Sequence, residues 1–412
     1  MINFRLLKLS DPMLWASVAG LITAGFLAIL SATYRMQMRA GLDPFIFVKR
    51  HFAAFLVALV GLGLFSYFDY RHLKKMAPYF YVLALLLLVS ILFSGAGAGG
   101  AQRWLQLGPF SFQPSEISKL ALIVALAAFL SERKKIQNIW EIGYVLALVG
   151  FPFFLVFKQP DLGTALVFLA ILVGMLAASE ASPGLLIIIV TPMVSILLRP
   201  LFYLWLVYLL ALILALFLSR AKIWDWGLIL GLNIGVGGAL PFIWTMLKSY
   251  QRQRITAFLN PAADPYGAGY HALQSKIAIG SGWIFGKGFL QGSQTQLQFI
   301  PEQFSDFVFS VIGEEFGFVG SAIILGLFGL LIWRILAIAS QARDPFGKML
   351  ASGVAVMIVS HVLANMGMAM GILPVVGIPL PFLSYGGSSL FMNFIAVGIV
   401  QSIAMRRQKL FF

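Results

Sequence analysis

The chain has 412 residues, of which 60% are hydrophobic and only 11% charged, and its mean hydropathy is +0.93. This composition excludes a soluble globular domain, where charged residues make up about a quarter of the total. The formal net charge of +14 indicates attraction to anionic lipid rather than to nucleic acid, because the basic residues are spread over loops between apolar runs. The chain has no cysteine, which excludes disulfides and cysteine-ligated metals.

Twelve apolar runs predict helices that cross a membrane, because a helix satisfies its own backbone hydrogen bonds in lipid. They lie at about 14–32, 46–66, 78–94, 117–130, 139–157, 162–179, 184–198, 201–218, 227–247, 316–334, 350–371 and 385–404. We therefore predict an all-α polytopic membrane protein in which residues 1–412 form a single integral membrane domain.

The distribution of basic residues predicts the orientation of these spans. With the N-terminus on the cytoplasmic side, the inner segments hold 16 of the 29 basic residues: Arg5, Lys8, Arg71, Lys74, Lys75, Arg133, Lys134, Lys135, Arg220, Lys222, Arg334, Arg343, Lys348, Arg406, Arg407 and Lys409. Positively charged short loops remain inside in membrane proteins. The longest polar segment, residues 248–315, is therefore expected to face outward.

Two parts of the chain depart from simple alternation of spans and loops. Residues 183–226 contain two apolar runs separated only by Arg199-Pro200, which predicts a tight helical hairpin or one broken segment. We expect both runs to cross, because one crossing would invert every basic loop that follows. Pro374, Pro379 and Pro381 precede a Ser-Tyr-Gly-Gly-Ser-Ser run and predict a broken or re-entrant segment, which membranes tolerate only inside protein or beside water.

The outward segment 248–315 holds five of the fifteen acidic residues. Among them, Asp264 stands between Pro261 and Pro265, so its carboxylate is expected on a rigid turn. A lone aspartate before proline is often only a turn former or a helix cap. The functional interpretation is a general base toward a hydroxyl group, or a ligand for a divalent cation that binds a pyrophosphate.

Other charged residues of this segment have a functional and a structural interpretation. Arg252 and Arg254 could bind phosphate oxygens through their guanidinium groups, or extend to lipid head groups. Lys287 lies between two glycines, but the spacing of a Walker phosphate loop is absent. Asp306 has phenylalanine neighbours and belongs either to the site or to the loop structure. Glu314 and Glu315 are expected to complement the dipole of the following helix.

Three elements elsewhere could line the same outward cleft. Arg50 begins the second span, Arg103 follows the third, and Asp161 lies where an N-cap of the sixth span is also expected. Before the fourth span, Ser115 is predicted to cap a helix in which Glu116 pairs with Lys119 at i, i+3. An ion pair at a membrane helix end is costly enough to indicate function. The four histidines show no metal-ligand spacing, which argues against a zinc site.

Six sequence blocks resemble the SEDS family, the polytopic peptidoglycan polymerases that include RodA and FtsW. The blocks are GAQRWLQLGPFSFQPSEISK, KQPDLGTAL, YQRQR, NPAADPYGAGYHALQSKIAIGSGWIFGKG, QLQFIPEQFSDFVFSVIGEEFG and LPVVGIPLPFLSYGGSSL. They span most of the chain in the order of the family. The Gly-Lys-Gly around Lys287, and Val376 where division-type members carry lysine, are more similar to the RodA branch.

The resemblance implies a bundle of about ten to twelve helices and glycosyl transfer from lipid II at the outer face of the bacterial cytoplasmic membrane. The 4-hydroxyl of the acceptor attacks the anomeric carbon of the donor, and undecaprenyl pyrophosphate leaves. The configuration at the anomeric carbon is inverted. The essential aspartate of the family falls on Asp264, which with Mg²⁺ or Mn²⁺ could also hold the pyrophosphate. The implied partner is a class B penicillin-binding protein, a transpeptidase. Candidate substrate-binding residues are Arg50, Arg103, Glu116, Lys119, Asp161, Arg252, Arg254, Gln274, Lys287 and Asp306.

The chain departs from the family pattern in two places. Phe304-Ser305-Asp306 replaces the usual His-Thr-Asp, and residues 183–226 exceed the usual ten spans as an inserted apolar hairpin. A flippase or another transporter for lipid-linked precursors is the alternative function, but transport sites lie near the middle of the bilayer. Here the acidic residues cluster in an outer loop, which favours the polymerase. A scaffold that positions the transpeptidase would need no ordered acid.

Overall fold

The computed structural model describes residues 9–94, 103–107, 110–133, 139–179, 183–218, 223–259, 269–300 and 302–407. The helices are α1 (Pro12–Arg39), α2 (Ile46–Tyr67), α3 (Arg71–Ser94), α4 (Pro114–Ser131), α5 (Ile139–Lys158), α6 (Leu162–Ala178), α7 (Pro183–Leu198), α8 (Phe202–Leu218), α9 (Ile223–Met246), α10 (Ser249–Leu259), α11 (Tyr270–Ser281), α12 (Ser293–Gln296), α13 (Val308–Ser340), α14 (Pro345–Ala369) and α15 (Gly387–Arg406). Strands β1 (Leu105–Leu107) and β2 (Phe110–Phe112) form an antiparallel hairpin that the sequence analysis did not predict.

All twelve predicted spans lie in helices, which confirms the all-α polytopic architecture. Within the described ranges, nine helices are long and apolar enough to cross a membrane, and α6, α7 and α8 are shorter apolar helices. Aspartates begin several of them: Asp11 accepts a hydrogen bond from Leu14 N (3.1 Å), and Asp344 accepts one from Gly347 N (2.9 Å). Such caps satisfy amides that have no partner inside the helix.

Burial divides the helices into a core and a periphery. In α15, 94% of the apolar window is buried inside the protein, against 22% in α2 and in α3. Helix α15 packs against α2, and α14 packs against α4, α6 and α13. Helices α4, α14 and α15 therefore form the centre of the bundle, and the exposed apolar sides of α2 and α3 are those expected to face lipid.

Helices α7, α8 and α9 form a small unit with its own core at Leu212, Leu216 and Ile229. Polar bonds join the three helices: Trp205 Nε1 donates to Ser195 Oγ (2.7 Å), and Ser195 Oγ donates to a backbone carbonyl of α9 (2.8 Å). The predicted hairpin in residues 183–226 therefore packs mainly on α9. With 16 and 17 residues, α7 and α8 are shorter than the ~20 residues of a typical span, so their crossing stays a prediction.

Between α14 and α15 the chain runs without helix through the protein interior. Leu380, Phe382 and Leu383 are each at most 1% exposed. A Cβ on Gly25, halfway along α1, would lie 2.5 Å from the Phe382 carbonyl oxygen. The backbone of this segment thus contacts the middle of a membrane helix, where only glycine leaves room. The predicted broken segment is buried in protein. Non-helical backbone at the depth of the membrane interior requires such burial, because its polar groups cannot face lipid.

Helix α13 is broken at Gly317, which has φ of 64° and ψ of −156°. The loop after α11 occupies the break: the amides of Phe318 and Val319 donate to the carbonyls of Trp283 and Ile284, at 2.8 and 3.0 Å. Two amides of the same loop donate to the carbonyls that precede the break. The second part of α13 therefore begins where the sequence predicted a span from about 316.

Candidate functional site

The loops expected to face outward meet at one end of the bundle. Gln113 N, beside the β-hairpin, donates to Ser388 Oγ at the start of α15 (3.3 Å). On the other side, Tyr385 N donates to Phe304 O (2.9 Å). The described parts of three distant outer segments are thus held together, and most of the predicted site residues lie in or beside them.

Arg103 and Asp161 connect two of these segments. The Arg103 guanidinium donates to Pro160 O, and its Nη1 lies 3.9 Å from Asp161 Oδ1. Asp161 also caps α6, because its carboxylate accepts from Thr164 N (3.2 Å) and Thr164 Oγ1 (2.9 Å). The expectation of an N-cap at Asp161 is confirmed, and the arginine beside it supplies a positive charge at the outer surface.

Arg254 and Asp306 both lie beside Gly377. A Cβ added to Gly377 would be 3.2 Å from Asp306 Oδ2 and 3.9 Å from Arg254 Nη1. Arg254 Nη1 also donates to Val375 O (3.4 Å), and Asn365 Nδ2 donates to Asp306 O (2.8 Å). At position 377, where φ is +70°, a side chain would therefore be strained and would enter the space beside Asp306.

The environment of Asp306 changes its protonation. Burial, and after it the negative charge of Glu302, raise the pKa of its carboxyl group from 3.8 to about 6. Arg254 and Arg103 lower this pKa, and Asp161 raises it. The other four charges are therefore near enough to act on the Asp306 carboxyl, and we call the outward surface around these five residues the cleft. A carboxyl group with a pKa near neutral pH can exchange a proton under physiological conditions.

Lys287 pairs with Glu314 rather than facing the cleft as an isolated cation. Its Nζ lies 2.9 Å from Glu314 Oε1. The Glu314 carboxylate, which is 0% exposed, also accepts from Gln294 N, Thr295 N and Thr295 Oγ1 at 2.6–2.8 Å. Burial of a carboxylate requires such partners. The structure gives Lys287 a role in holding the loop around α12, and phosphate binding by Lys287 stays a prediction.

Glu314 and Glu315 come directly before the break at Gly317, where the second part of α13 begins, so their predicted interaction with the dipole of that helix stays a prediction. Glu315 accepts hydrogen bonds from Ser31 Oγ (2.5 Å) and Gln296 Nε2 (3.0 Å). Both acids also connect α13 to the α12 loop, and Glu315 reaches α1.

Glu116 and Lys119 form the predicted pair, at 2.7 Å, and a third residue joins them. Lys119 Nζ lies 2.7 Å from His361 Nε2, while His361 Nδ1 lies 2.6 Å from Met357 O. Since a carbonyl only accepts, Nδ1 carries the hydrogen and Nε2 accepts from Lys119. The three residues are 4%, 2% and 1% exposed. They form a buried polar cluster between α4 and α14, so substrate contact by Glu116 or Lys119 stays a prediction.

The predicted cap at Ser115 was wrong. Helix α4 begins at Pro114, and Gln113 occupies the N-cap position without a side-chain cap bond. Proline at the first helical position needs no amide partner, because it has no amide hydrogen. The Ser115 hydroxyl is buried, and no partner for it occurs in the described ranges.

The remaining predicted residues take separate positions. Arg252 donates to Leu247 O (2.9 Å) and Thr245 O (2.8 Å), which satisfies carbonyls at the end of α9. Arg50 is exposed on α2, and Gln274 is half-buried on α11. Their substrate-binding roles stay predictions. His361, Asn365 and Gly377 are not among the residues predicted from the sequence, although His361 and Asn365 are polar residues within an apolar span, which is a detectable signal.

Asp264, the predicted catalytic residue, lies outside the described residues. The described chain ends before it at Leu259 of α10 and resumes after it with the turn that leads into α11. Arg254 is one to two turns before the end of α10. His271 lies in the first turn of α11, where burial and the charge of Arg254 lower the pKa of its imidazole. The segment that carries Asp264 is therefore joined at both ends to elements beside the cleft.

Comparisons with known proteins agree with this fold. The family model FTSW_RODA_SPOVE, described as a cell cycle protein, matches residues 11–208 and 184–409. The chain is 39% identical over 364 residues to the peptidoglycan glycosyltransferase MrdB of Escherichia coli, covering 88% of this chain and 87% of that protein. It is 37% identical over 372 residues to the peptidoglycan glycosyltransferase RodA of Treponema pallidum, covering 83% and 86%.

A solved structure has a similar fold. One chain from work on the structural coordination of polymerization and crosslinking by a peptidoglycan synthase complex has a TM-score of 0.70 and 31% sequence identity. The match covers 97% of this chain and 98% of that one. The two family-model matches overlap only at residues 184–208, within the segment predicted as an insertion. The predicted resemblance is confirmed, and the chain belongs to the FtsW/RodA/SpoVE family of polytopic membrane proteins.

Proposed function

We propose that this protein is a peptidoglycan glycosyltransferase of the RodA type, which polymerises lipid II into β-1,4-linked glycan strands during cell elongation. The observation that carries the proposal is the outward cleft, where Arg103, Asp161, Arg254 and Asp306 interact beside both ends of the segment that holds Asp264. Relatives named as peptidoglycan glycosyltransferases at 37–39% identity over most of the chain support the same activity.

The proposed chemistry uses the charges of the cleft. The Asp264 carboxylate accepts the proton of the acceptor 4-hydroxyl as its oxygen bonds to the anomeric carbon of the donor. The bond from that carbon to the pyrophosphate oxygen breaks, and undecaprenyl pyrophosphate leaves from the opposite face. Arg254 and Arg103 are the cations that stabilise the negative charge of the leaving group. A site at the outer ends of the helices lets a lipid-linked donor enter from the bilayer.

A divalent cation and a partner protein belong to the same proposal. No three acidic or histidine side chains converge on a metal site among the residues that the structure describes. In the alternative role of Asp264 as a cation ligand instead of the base, its carboxylate would hold Mg²⁺ or Mn²⁺ together with pyrophosphate oxygens, and the cation would offset their negative charge. A class B penicillin-binding protein is the proposed partner, supported by the similarity to a chain of a peptidoglycan synthase complex. The proposed location is the bacterial cytoplasmic membrane.

The test combines purified protein with lipid II, alone and with a class B penicillin-binding protein, and measures glycan strands by gel electrophoresis. Asp264→Asn is expected to abolish strands while the protein stays folded. Asp43→Asn is the matched control, because Asp43 is also an aspartate of an outer loop but pairs only locally with Lys49, at 2.6 Å. Asp43→Asn should polymerise like the unaltered protein.

Two outcomes would contradict the proposal. Equal strand synthesis by Asp264→Asn and the unaltered protein would remove Asp264 from the mechanism. Absence of strands under every condition, together with movement of lipid II across vesicle membranes, would instead assign the protein as a flippase.

A further inference from the structure

A cavity lies at the end of the bundle opposite the cleft. Its volume is about 230 Å³, and its lining residues are Arg71, Lys74, Ser131, Asp344, Pro345 and Phe346. These residues belong to the first turns of α3 and α14, the residue before α14, and the last residue of α4. All of these positions are on the side where the basic loops lie, so the cavity opens at the cytoplasmic surface of the membrane.

Two cations line this cavity, and each has a carboxylate beside it. Arg71 donates to both Asp69 carboxylate oxygens through Nε (3.0 and 3.1 Å) and Nη2 (2.6 Å), and the Arg71 and Asp69 side chains are 55% and 20% exposed. Lys74 Nζ lies 3.3 Å from Glu132 Oε1, with the two side chains 37% and 60% exposed. An exposed pair such as Lys74–Glu132 contributes at most about 1 kcal/mol. A phosphate between Arg71 and Lys74 can therefore replace Glu132 at Lys74 without a large loss, and it can accept from the remaining donors of the Arg71 guanidinium while the pair with Asp69 stays in place.

The other side of the cavity offers hydrogen-bond acceptors and an apolar surface. The Asp344 carboxylate accepts from the Tyr70 hydroxyl and from Gly347 N (2.9 Å), and a carboxylate has capacity for further donors. Ser131 Oγ donates its hydrogen to Ala128 O (2.9 Å), so its own lone pairs remain to accept. Pro345 and Phe346 complete the lining. The cavity therefore suits a molecule with a phosphate, hydroxyl donors and an apolar part.

We propose that this cavity binds the headgroup of an anionic inner-leaflet phospholipid that carries hydroxyl groups, of the phosphatidylglycerol class. Its phosphate lies between Arg71 and Lys74, and its glycerol hydroxyls donate to Ser131 Oγ and the Asp344 carboxylate. Basic pockets between membrane helices on the cytoplasmic side commonly bind acidic lipid head groups. Inorganic phosphate carries the same anionic group as this lipid. It has no acyl chains to keep it at the membrane surface and no glycerol hydroxyls.

The test uses the full chain in nanodiscs of phosphatidylcholine alone or mixed equally with phosphatidylglycerol. Retained lipid is measured by native mass spectrometry, and stability by thermal unfolding. Lys74→Gln is compared with Lys75→Gln, which removes the same charge from the adjacent, exposed position that does not line the cavity. Loss of one charge-assisted contact should weaken phosphatidylglycerol retention roughly tenfold in Lys74→Gln. Lys75→Gln should retain it like the unaltered chain.

A separate arm adds inorganic phosphate to discs of phosphatidylcholine alone. We expect no rise in the unfolding temperature there, and a rise with phosphatidylglycerol. Equal loss of retention in both lysine variants would reduce the effect to general surface charge and overturn the proposal. Stabilisation by inorganic phosphate equal to that by the lipid would overturn the lipid assignment. Equal unfolding temperatures of both variants in phosphatidylcholine show that neither change simply unfolds the protein.

Discussion

Replacing Asp306 by asparagine should stabilise the protein at neutral pH while impairing its activity. Burial and the negative charge of Glu302 raise the pKa of the Asp306 carboxyl from 3.8 to about 6. Since one pKa unit corresponds to 1.36 kcal/mol, holding this group ionised in the folded protein costs about 3 kcal/mol above pH 6. This is an upper bound, because the side chain is partly exposed.

The sign of the pH dependence follows from this pKa. Below pH 4 the carboxyl is protonated in both the folded and the unfolded chain, so the unaltered protein and Asp306→Asn should differ little in stability. Between pH 4 and 6 the folded protein binds more protons than the unfolded chain, and the cost appears as pH rises. The advantage of Asp306→Asn should therefore grow through this window and stay constant above it.

Thermal unfolding of the purified protein in detergent, from pH 4 to 8, measures this advantage. Asp43→Asn is the control: hydrogen bonds from Lys49 and from Phe45 N lower the pKa of this exposed carboxyl, so its variant should gain no stability as pH rises. Strand synthesis from lipid II by Asp306→Asn should fall. A stability difference independent of pH, or a less stable Asp306→Asn at pH 8, would refute the reasoning.

Three further changes test the contacts that position the site. Glu314→Gln places an amide opposite donors of the α12 loop and should cost about 2–4 kcal/mol, seen as a lower unfolding temperature and faster proteolysis of that loop. Lys119→Met leaves Glu116 buried without its cation and should lower the free energy of unfolding by about 3 kcal/mol. Adding Glu116→Gln to Lys119→Met should recover most of this loss. Equal stability of the single and the double variant would contradict the ion pair. Gly286 has φ of +81°, and a Cβ at this position would collide with Glu315 O. Gly286→Ala should therefore destabilise the protein by more than about 1 kcal/mol, measured by thermal unfolding. An unchanged unfolding midpoint would contradict the close contact.

The structure brings some of the predicted site residues together and not others, and the contacts explain why. Arg103, Asp161, Arg254 and Asp306 share a cleft, as expected from their place in outer loops. Lys287 was a candidate substrate-binding residue between two glycines, but its observed partner, Glu314, lies 27 residues away in sequence. Such a pair depends on how α11, α12 and α13 pack, which local spacing does not encode. The role predicted for Asp264 depends on residues outside the described part and stays a prediction.

The sequence by itself determined the membrane class and the positions of the spans, because apolar length is a local property and lipid leaves the backbone few alternatives to helix. Positive charges in short loops likewise predicted which end carries the cleft. Only the tertiary structure decided which buried polar groups meet. His361 joins Lys119 across 242 residues, and the chain after α14 reaches the middle of α1 at Gly25. A buried polar group needs a partner, but only the packing of the helices selects which one.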